Sequence, residues 1–139
     1  MRKLSSLSVV FPTYNDEKTI ELLVRKVLRI LPRLTDEYEI IVVNDGSMDA
    51  TGKVLARLRK QISCLYIVTH KRNIGYGGAL ISGFQKASKE FIFYTDGDGQ
   101  YDVGEIPKLV VAFDGKTDMV TGYKLKRLDT WLRRFIGSS

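Results

Sequence analysis

Between Phe91 and Gln100 the chain reads Phe-Ile-Phe-Tyr-Thr-Asp-Gly-Asp-Gly-Gln, an apolar run ending in two carboxylates and an amide spaced by single glycines. Side chains alternate along extended backbone, so Asp96, Asp98 and Gln100 are expected to point one way and offer three oxygen ligands to one hard cation, Mg2+ or Mn2+. The remaining positions on the ion would go to water and a diphosphate. Two other readings use the same residues. Asp-Gly repeats are ordinary turn chemistry, and Asp-x-Asp after a strand also fits an aspartyl phosphatase with Asp96 as nucleophile. A calcium-binding EF-hand loop is disfavoured: counted from Asp96, its sixth position needs Gly and holds Tyr101, and its twelfth needs Glu and holds Pro107.

Three further loops carry polar groups. Val42-Val43-Asn44-Asp45-Gly46-Ser47-Met48-Asp49 brings Asp45 to a strand end, where it can accept hydrogen bonds from base or ribose donors, while Asp49 reads as the cap of the next helix. Pro12-Thr13-Tyr14-Asn15-Asp16 offers a rigid turn, an aromatic face for a base and an acceptor, or else a loop ending in a helix cap at Asp16. The stretch from His70 to Ala79 joins a basic loop to a glycine-rich helix start, where free amides and the helix dipole favour anions. It matches neither common phosphate motif. Leu80 stands where a dinucleotide fingerprint needs its third Gly, and Gly83 is followed by Phe84-Gln85 where a P-loop needs Lys-Ser/Thr. These glycines equally suit tight helix packing. His70, the only histidine, reads as a group that orients the loop or packs at the strand end rather than as a catalytic base.

These loops are set by an alternation of strands and helices. Leu7–Phe11 is an apolar run stopped by Pro12, and Ile20, Leu23, Val24, Val27 and Leu31 follow at helical spacing until Pro32. Glu39–Val43 and Leu65–Thr69 read as strands, each followed by a helix, the first bearing Val54, Leu55, Leu58 and Ile62 and the second running from Gly75 to Ser88. Phe91–Thr95 is a fourth strand, Gly104–Phe113 a helix and Met119–Thr121 a short fifth strand. Leu128, Trp131, Leu132 and Phe135 suggest a last amphipathic helix. The fold class is therefore α/β, a mostly parallel sheet with helices on both faces. In such sheets ligands bind beyond the carboxyl ends of the strands, where all four polar loops fall.

At 139 residues and 44% hydrophobic the chain is expected to be a single domain, residues 1–139, with a core of its own. Its apolar runs are far shorter than a membrane span, and one cysteine, Cys64, allows neither a disulfide nor a Cys-based metal site within the chain; the expected location is cytoplasmic. The net charge is +6, and Lys116, Lys124, Lys126, Arg127, Arg133 and Arg134 against Asp118 and Asp129 put four of those charges in the last 24 residues. That excess could face an anionic lipid surface, a phosphorylated acceptor or nucleic acid, or be a solvated face. Nucleic acid is disfavoured at the strand-end rim, where Asp16, Asp45, Asp96 and Asp98 crowd negative charge.

Taken in order and spacing, Val9-Val10-Phe11-Pro12-Thr13-Tyr14-Asn15-Asp16, Val42 to Thr51, Arg72-Asn73-Ile74-Gly75-Tyr76-Gly77-Gly78-Ala79 and Thr95 to Tyr101 resemble family 2 glycosyltransferases of the GT-A fold. The likeness covers nearly the whole chain and is nearest to the dolichyl- or polyprenyl-phosphate sugar transferases. It implies a Rossmann-like domain binding a UDP-sugar or GDP-sugar, with Pro12, Tyr14, Asp16 and Asp45 forming the nucleotide pocket and Asp45 on the base. It implies Asp96 as a ribose or metal contact, Asp98 and Gln100 as metal ligands, Lys124 in place of a frequent Arg, and Arg133 or Arg134 as a later phosphate-binding arginine. Asn44 stands for a frequent Asp, and Asp16 for the usual Glu, which shortens the reach of that contact. The family's catalytic domain continues where this chain stops, so the sequence reads as the N-terminal, donor-binding portion of a longer enzyme.

The implied reaction is single displacement with inversion. A saccharide acceptor would need a carboxylate base, and none is evident after Tyr101; a polyprenyl phosphate is already anionic and needs positioning cations, which the basic C-terminus supplies. Asp98, Lys124 and Arg134 are thus the expected catalytic groups, with contact at a membrane surface. A transfer to a saccharide hydroxyl, a non-catalytic nucleotide-binding module and a phosphatase-like enzyme are the alternatives.

Overall fold

The computed structural model describes residues 3–112, 119–122 and 133–137, the last two segments as backbone. In chain order they form β1 (Leu7–Thr13), α1 (Ile20–Leu34), β2 (Tyr38–Asp45), α2 (Thr51–Gln61), β3 (Leu65–His70), α3 (Tyr76–Lys86), β4 (Phe91–Tyr94), a 3-10 turn (Val103–Glu105), α4 (Ile106–Ala112), β5 (Met119–Gly122) and β6 (Arg133–Gly137). The sheet order is β3-β2-β1-β4-β6-β5. β1, β2, β3 and β4 run parallel, and β6 and β5 add an antiparallel edge.

Strand alternation divides the core in two. Leu7, Val9 and Phe11 of β1 with Ile40 and Val42 of β2 pack under α1, α2 and α4, whereas Val10, Ile41, Val43 and Tyr94 face α3. The division follows from the winding: right-handed crossovers put α1 and α2 on one face as the chain moves outward from β1 to β3, and α3 on the other when it returns to β4. α3 lies close to the sheet because Gly83 has no side chain. A Cβ there would stand 2.4 Å from Val10 Cγ1 and 3.2 Å from Val43 Cγ2.

The structure departs from the sequence reading at three places. Pro12 does not stop β1, which continues to Thr13. Its carbonyl faces the β4 side and accepts from the Gly97 N–H at 3.1 Å, so its missing N–H also faces away from β2, whose ladder with β1 runs on to Thr13. Pro32 lies inside α1, where the buried Leu31 and Leu34 hold the last turn and the Thr35 N–H closes on the Leu31 carbonyl at 3.1 Å. The C-terminal helix is replaced, over its last residues, by β6; Leu128, Trp131 and Leu132 lie outside the described residues. The open edge of β4 takes this strand as a ladder partner, Phe93 opposite Phe135 and Ile92 opposite Ile136, and aromatic and β-branched residues suit that position.

Candidate functional site

β1 sits between β2 and β4, so the chain's direction of winding reverses across the β1/β4 gap, and beyond the carboxyl ends of these strands lies a cavity of about 310 Å³. Pro12 and Thr13 line it from β1, Tyr14 and Asp16 from the loop after it, Asp45 from β2, Asn73 and Gly75 from the β3–α3 connection, Tyr76 and Ala79 from the start of α3, and Asp96 and Asp98 from the loop after β4. Three separate loops anticipated from sequence therefore meet in one space with the carboxylate loop. Tyr14 is half exposed at its mouth.

Asp45, buried at the end of β2, is held by four residues at the end of β3 and in the β3–α3 connection. Its Oδ1 accepts from His70 Nδ1 at 2.8 Å and the Ile74 N–H at 3.0 Å, its Oδ2 accepts from the Gly75 N–H at 3.0 Å, and its carbonyl accepts from Asn73 Nδ2 at 3.2 Å. Burial pushes its carboxyl pKa up, but the His70 ring and the two backbone N–H groups outweigh it and hold the pKa below the usual carboxylate value. Gly46 permits this arrangement: at φ +72° it occupies backbone space that side chains rarely reach, and a Cβ would meet the Arg72 carbonyl carbon at 2.4 Å.

At the other end stand Asp16, Asp96 and Asp98. Asp16 Oδ2 accepts from Thr13 Oγ1 at 2.5 Å and the Tyr14 N–H at 3.1 Å. Burial nevertheless raises its pKa; those two hydrogen bonds oppose the rise, and the nearby charges of Asp98 and Asp49 add to it. The loop after β4 is clamped at Gly97, whose N–H donates to the Pro12 carbonyl and whose own carbonyl accepts from Thr19 Oγ1 at 2.7 Å. Below it, Tyr94 meets Phe84 edge-on at 5.2 Å and Tyr101 packs on Phe93 at 5.8 Å. Thr13, Thr19, Asn73 and Tyr76 were given no role by the sequence reading. Thr13, Asn73 and Tyr76 lie within the motifs, which was the available signal; Thr19 lies outside them.

The expectation that Asp96, Asp98 and Gln100 point one way is corrected here. Strand backbone ends at Tyr94, and Asp98 Oδ1 accepts the Gln100 N–H at 3.0 Å around Gly99 at φ +79°, a turn in which two-residue alternation has no meaning. Gln100 does not line the cavity, while Asp96 and Asp98 do. Among the described residues no group of three or more His, Cys, Asp or Glu side chains stands ready to hold a metal ion. Two carboxylates are short of a complete cage but fit a hard divalent cation that takes its other oxygens from water and phosphate. The unfavourable proximity of Asp98 to Asp16 is the electrostatic condition such a cation would relieve. Asp49 is not the cap of α2 that the sequence suggests: Ala50 holds that position, and Asp49, one residue earlier, accepts the Thr51 N–H at its Oδ1 at 2.9 Å. Lys124 lies outside the described residues, and Arg133 and Arg134 are described as backbone at the start of β6.

The model of the family described as glycosyl transferase family 2 matches residues 8–136. Over 132 residues the chain is 33% identical to an undecaprenyl-phosphate 4-deoxy-4-formamido-L-arabinose transferase of Serratia proteamaculans, covering 94% of this chain and 40% of that protein. The chain thus spans less than half the length of this relative. Among solved structures, a mannosyltransferase from Pyrobaculum calidifontis in complex with GDP-Man and Mn2+ superposes with a TM-score of 0.72 at 24% identity, covering 85% of this chain and 35% of the other. S. aureus TarS in complex with UDP-GlcNAc gives 0.66 at 27% identity, covering 88% and 36%. Among the described residues no helix is long and apolar enough to cross a membrane.

Proposed function

Because this chain belongs to glycosyl transferase family 2, we propose that it forms the donor side of an inverting, metal-dependent enzyme that moves a sugar from a UDP-sugar or GDP-sugar to a polyprenyl phosphate. The observation that carries the reading is one cavity at the β1/β4 switch point, lined by Tyr14, by Asp45 from the β2 side and by Asp16, Asp96 and Asp98 toward the β4 side. A nucleoside diphosphate has the matching polarity: a flat base with N–H donors for an aromatic face and a carboxylate, then a diphosphate for the acidic end. Mg2+ or Mn2+, held by Asp96 and Asp98, would neutralise charge on the departing diphosphate. Asp98 faces the leaving group in this arrangement, Pro12 holds the turn that carries Tyr14, and Gln100 shapes the Asp98 turn through its N–H, a more modest role than metal ligation.

On the acceptor side a polyprenyl phosphate oxygen is already a nucleophile, so the protein must position it with cations. In the β4–β6 register Arg134 stands opposite Tyr94, two residues before Asp96, with Arg133 beside it. Neighbouring strand residues point to opposite faces, so this supports either Arg133 or Arg134 as the group that receives the acceptor phosphate; the charge of Lys124 is assigned the same task, at a lipid surface to which the basic C-terminal segment is attracted. The name of the Serratia relative, which specifies undecaprenyl phosphate, favours the same acceptor class.

Salt-titrated binding of UDP, GDP and an oligonucleotide, with and without Mn2+, tests the reading. The expected result is nucleotide binding that Mn2+ strengthens and moderate salt leaves in place. Metal-independent, steeply salt-sensitive oligonucleotide binding with no affinity for UDP or GDP would replace it with a nucleic-acid module.

A further inference from the structure

His70 takes part in more than the wall of the cavity. Its Nδ1 lies 2.8 Å from Asp45 Oδ1 and its Nε2 lies 2.8 Å from Ser82 Oγ, with the His70 and Asp45 side chains only 15% and 5% exposed. An ionised Asp45 can only accept, so His70 donates to it from Nδ1, and Nε2 pairs with the Ser82 hydroxyl. Asp45 in turn takes the N–H groups of Ile74 and Gly75.

We propose that His70 is a positioning residue of the donor pocket, transmitting the fixed position of α3 through the chain Ser82–His70–Asp45 to the loop that closes the base end. The inference rests on the donor-site reading above. Its anchor is firm, because Ser82 precedes Gly83, where α3 packs too close to Val10 and Val43 of the sheet to admit a side chain. Its load is a loop that needs holding: Gly75 adopts φ +97°, and Ile74 and Tyr76 on either side of it are both half exposed. Ser82, His70 and Asp45 also have the order of a serine-nucleophile triad. Ser82, however, stands two turns into α3 and does not line the cavity, and Asp45 is committed to two backbone N–H groups, the duty of a loop anchor.

A residue with this role sets affinity for the nucleotide at its base end, and its loss leaves the metal-dependent end unchanged. Calorimetric titration of UDP and GDP, with Mn2+ and with chelator, reads both. His70→Phe keeps a ring and loses both hydrogen bonds, and is expected to weaken binding about tenfold, by the same factor in either condition. His70→Asn sets an amide N–H near the place of Nδ1 and should recover most of the loss, whereas His70→Gln reaches toward Ser82 and should recover little. Unchanged affinity in a folded His70→Phe chain overturns the role. Should that variant not fold, equal affinities for the Asn and Gln variants overturn it. Ser82-dependent hydrolysis of an activated ester such as p-nitrophenyl acetate would show a nucleophile and overturn it too. If the unmutated chain binds neither UDP nor GDP, the donor-site reading fails first and the inference falls with it.

Discussion

The two ends of the cavity are built on opposite principles. Asp45 at the base end is buried, accepts three hydrogen bonds at its carboxylate and titrates below the ordinary carboxylate range. Asp16 at the acidic end titrates above it, and Asp98 is exposed with a single backbone donor from its own turn. One carboxylate has its hydrogen-bond donors supplied by the fold, whereas Asp16 is burdened first by burial and then by the charges of Asp98 and Asp49, a repulsion that a cation would relieve. The difference teaches where preorganisation ends. The protein can build the base-binding wall from its own backbone, but a diphosphate between carboxylates requires a cation brought from outside.

Substitutions can break this contrast at graded cost. Replacing Lys124 and Arg134 together with Gln removes the proposed acceptor cations, and is expected to cut transfer to a polyprenyl phosphate about a hundredfold while UDP and GDP affinities hold. Retained activity on a short soluble prenyl phosphate, with loss only of binding to anionic vesicles, would reassign both residues to membrane attraction. Asp98→Ala is the next largest: affinity in Mn2+ should drop to the level seen in chelator, on the order of tenfold or more. Asp45→Asn strikes the other end. Because Asn turns one acceptor into a donor facing Gly75 or His70, the loss should be about 1–3 kcal/mol, equal with and without metal; an unchanged affinity in a folded variant would make Asp45 a turn residue only.

The smallest effect is on stability. The folded pKa of Asp16 is raised above its ordinary value of 3.8, so the folded chain holds this proton more tightly than the unfolded one. Its contribution to folding is therefore fully present below that value and lost as pH rises through the raised pKa. Asp16→Asn should accordingly raise Tm slightly near neutral pH in chelator and give no gain below about pH 4. A gain that persists at acid pH would mean that charge is not what burdens this position.

Sequence periodicity was a good guide wherever one local rule governed the backbone. Val9, Phe11, Ile40 and Val42 lie in the core that their pattern implied, and the four loops do follow strands at one rim. It was a poor guide where a distant partner decides. Pro12 reads as a stop, yet β1 continues because the missing N–H faces away from β2, which pairs with β1 through Thr13. Phe135 reads as one face of a helix, yet the open edge of β4 claims it for β6. Gln100 was assigned by strand alternation in a segment that the Asp98–Gln100 turn had already taken out of the strand. His70 was read as a loop-orienting residue, but its partner Ser82, twelve residues on, can be found only once α3 is folded onto the sheet.

The central claim, a base end complete in the protein and a diphosphate end completed by a cation, is tested most directly by calorimetry of UDP and GDP on the unmutated chain in Mn2+ and in chelator. The account predicts measurable binding of one or both nucleotides in chelator and a clear strengthening in Mn2+, with the matching nucleosides insensitive to the metal. Equal diphosphate affinity in the two conditions would contradict it.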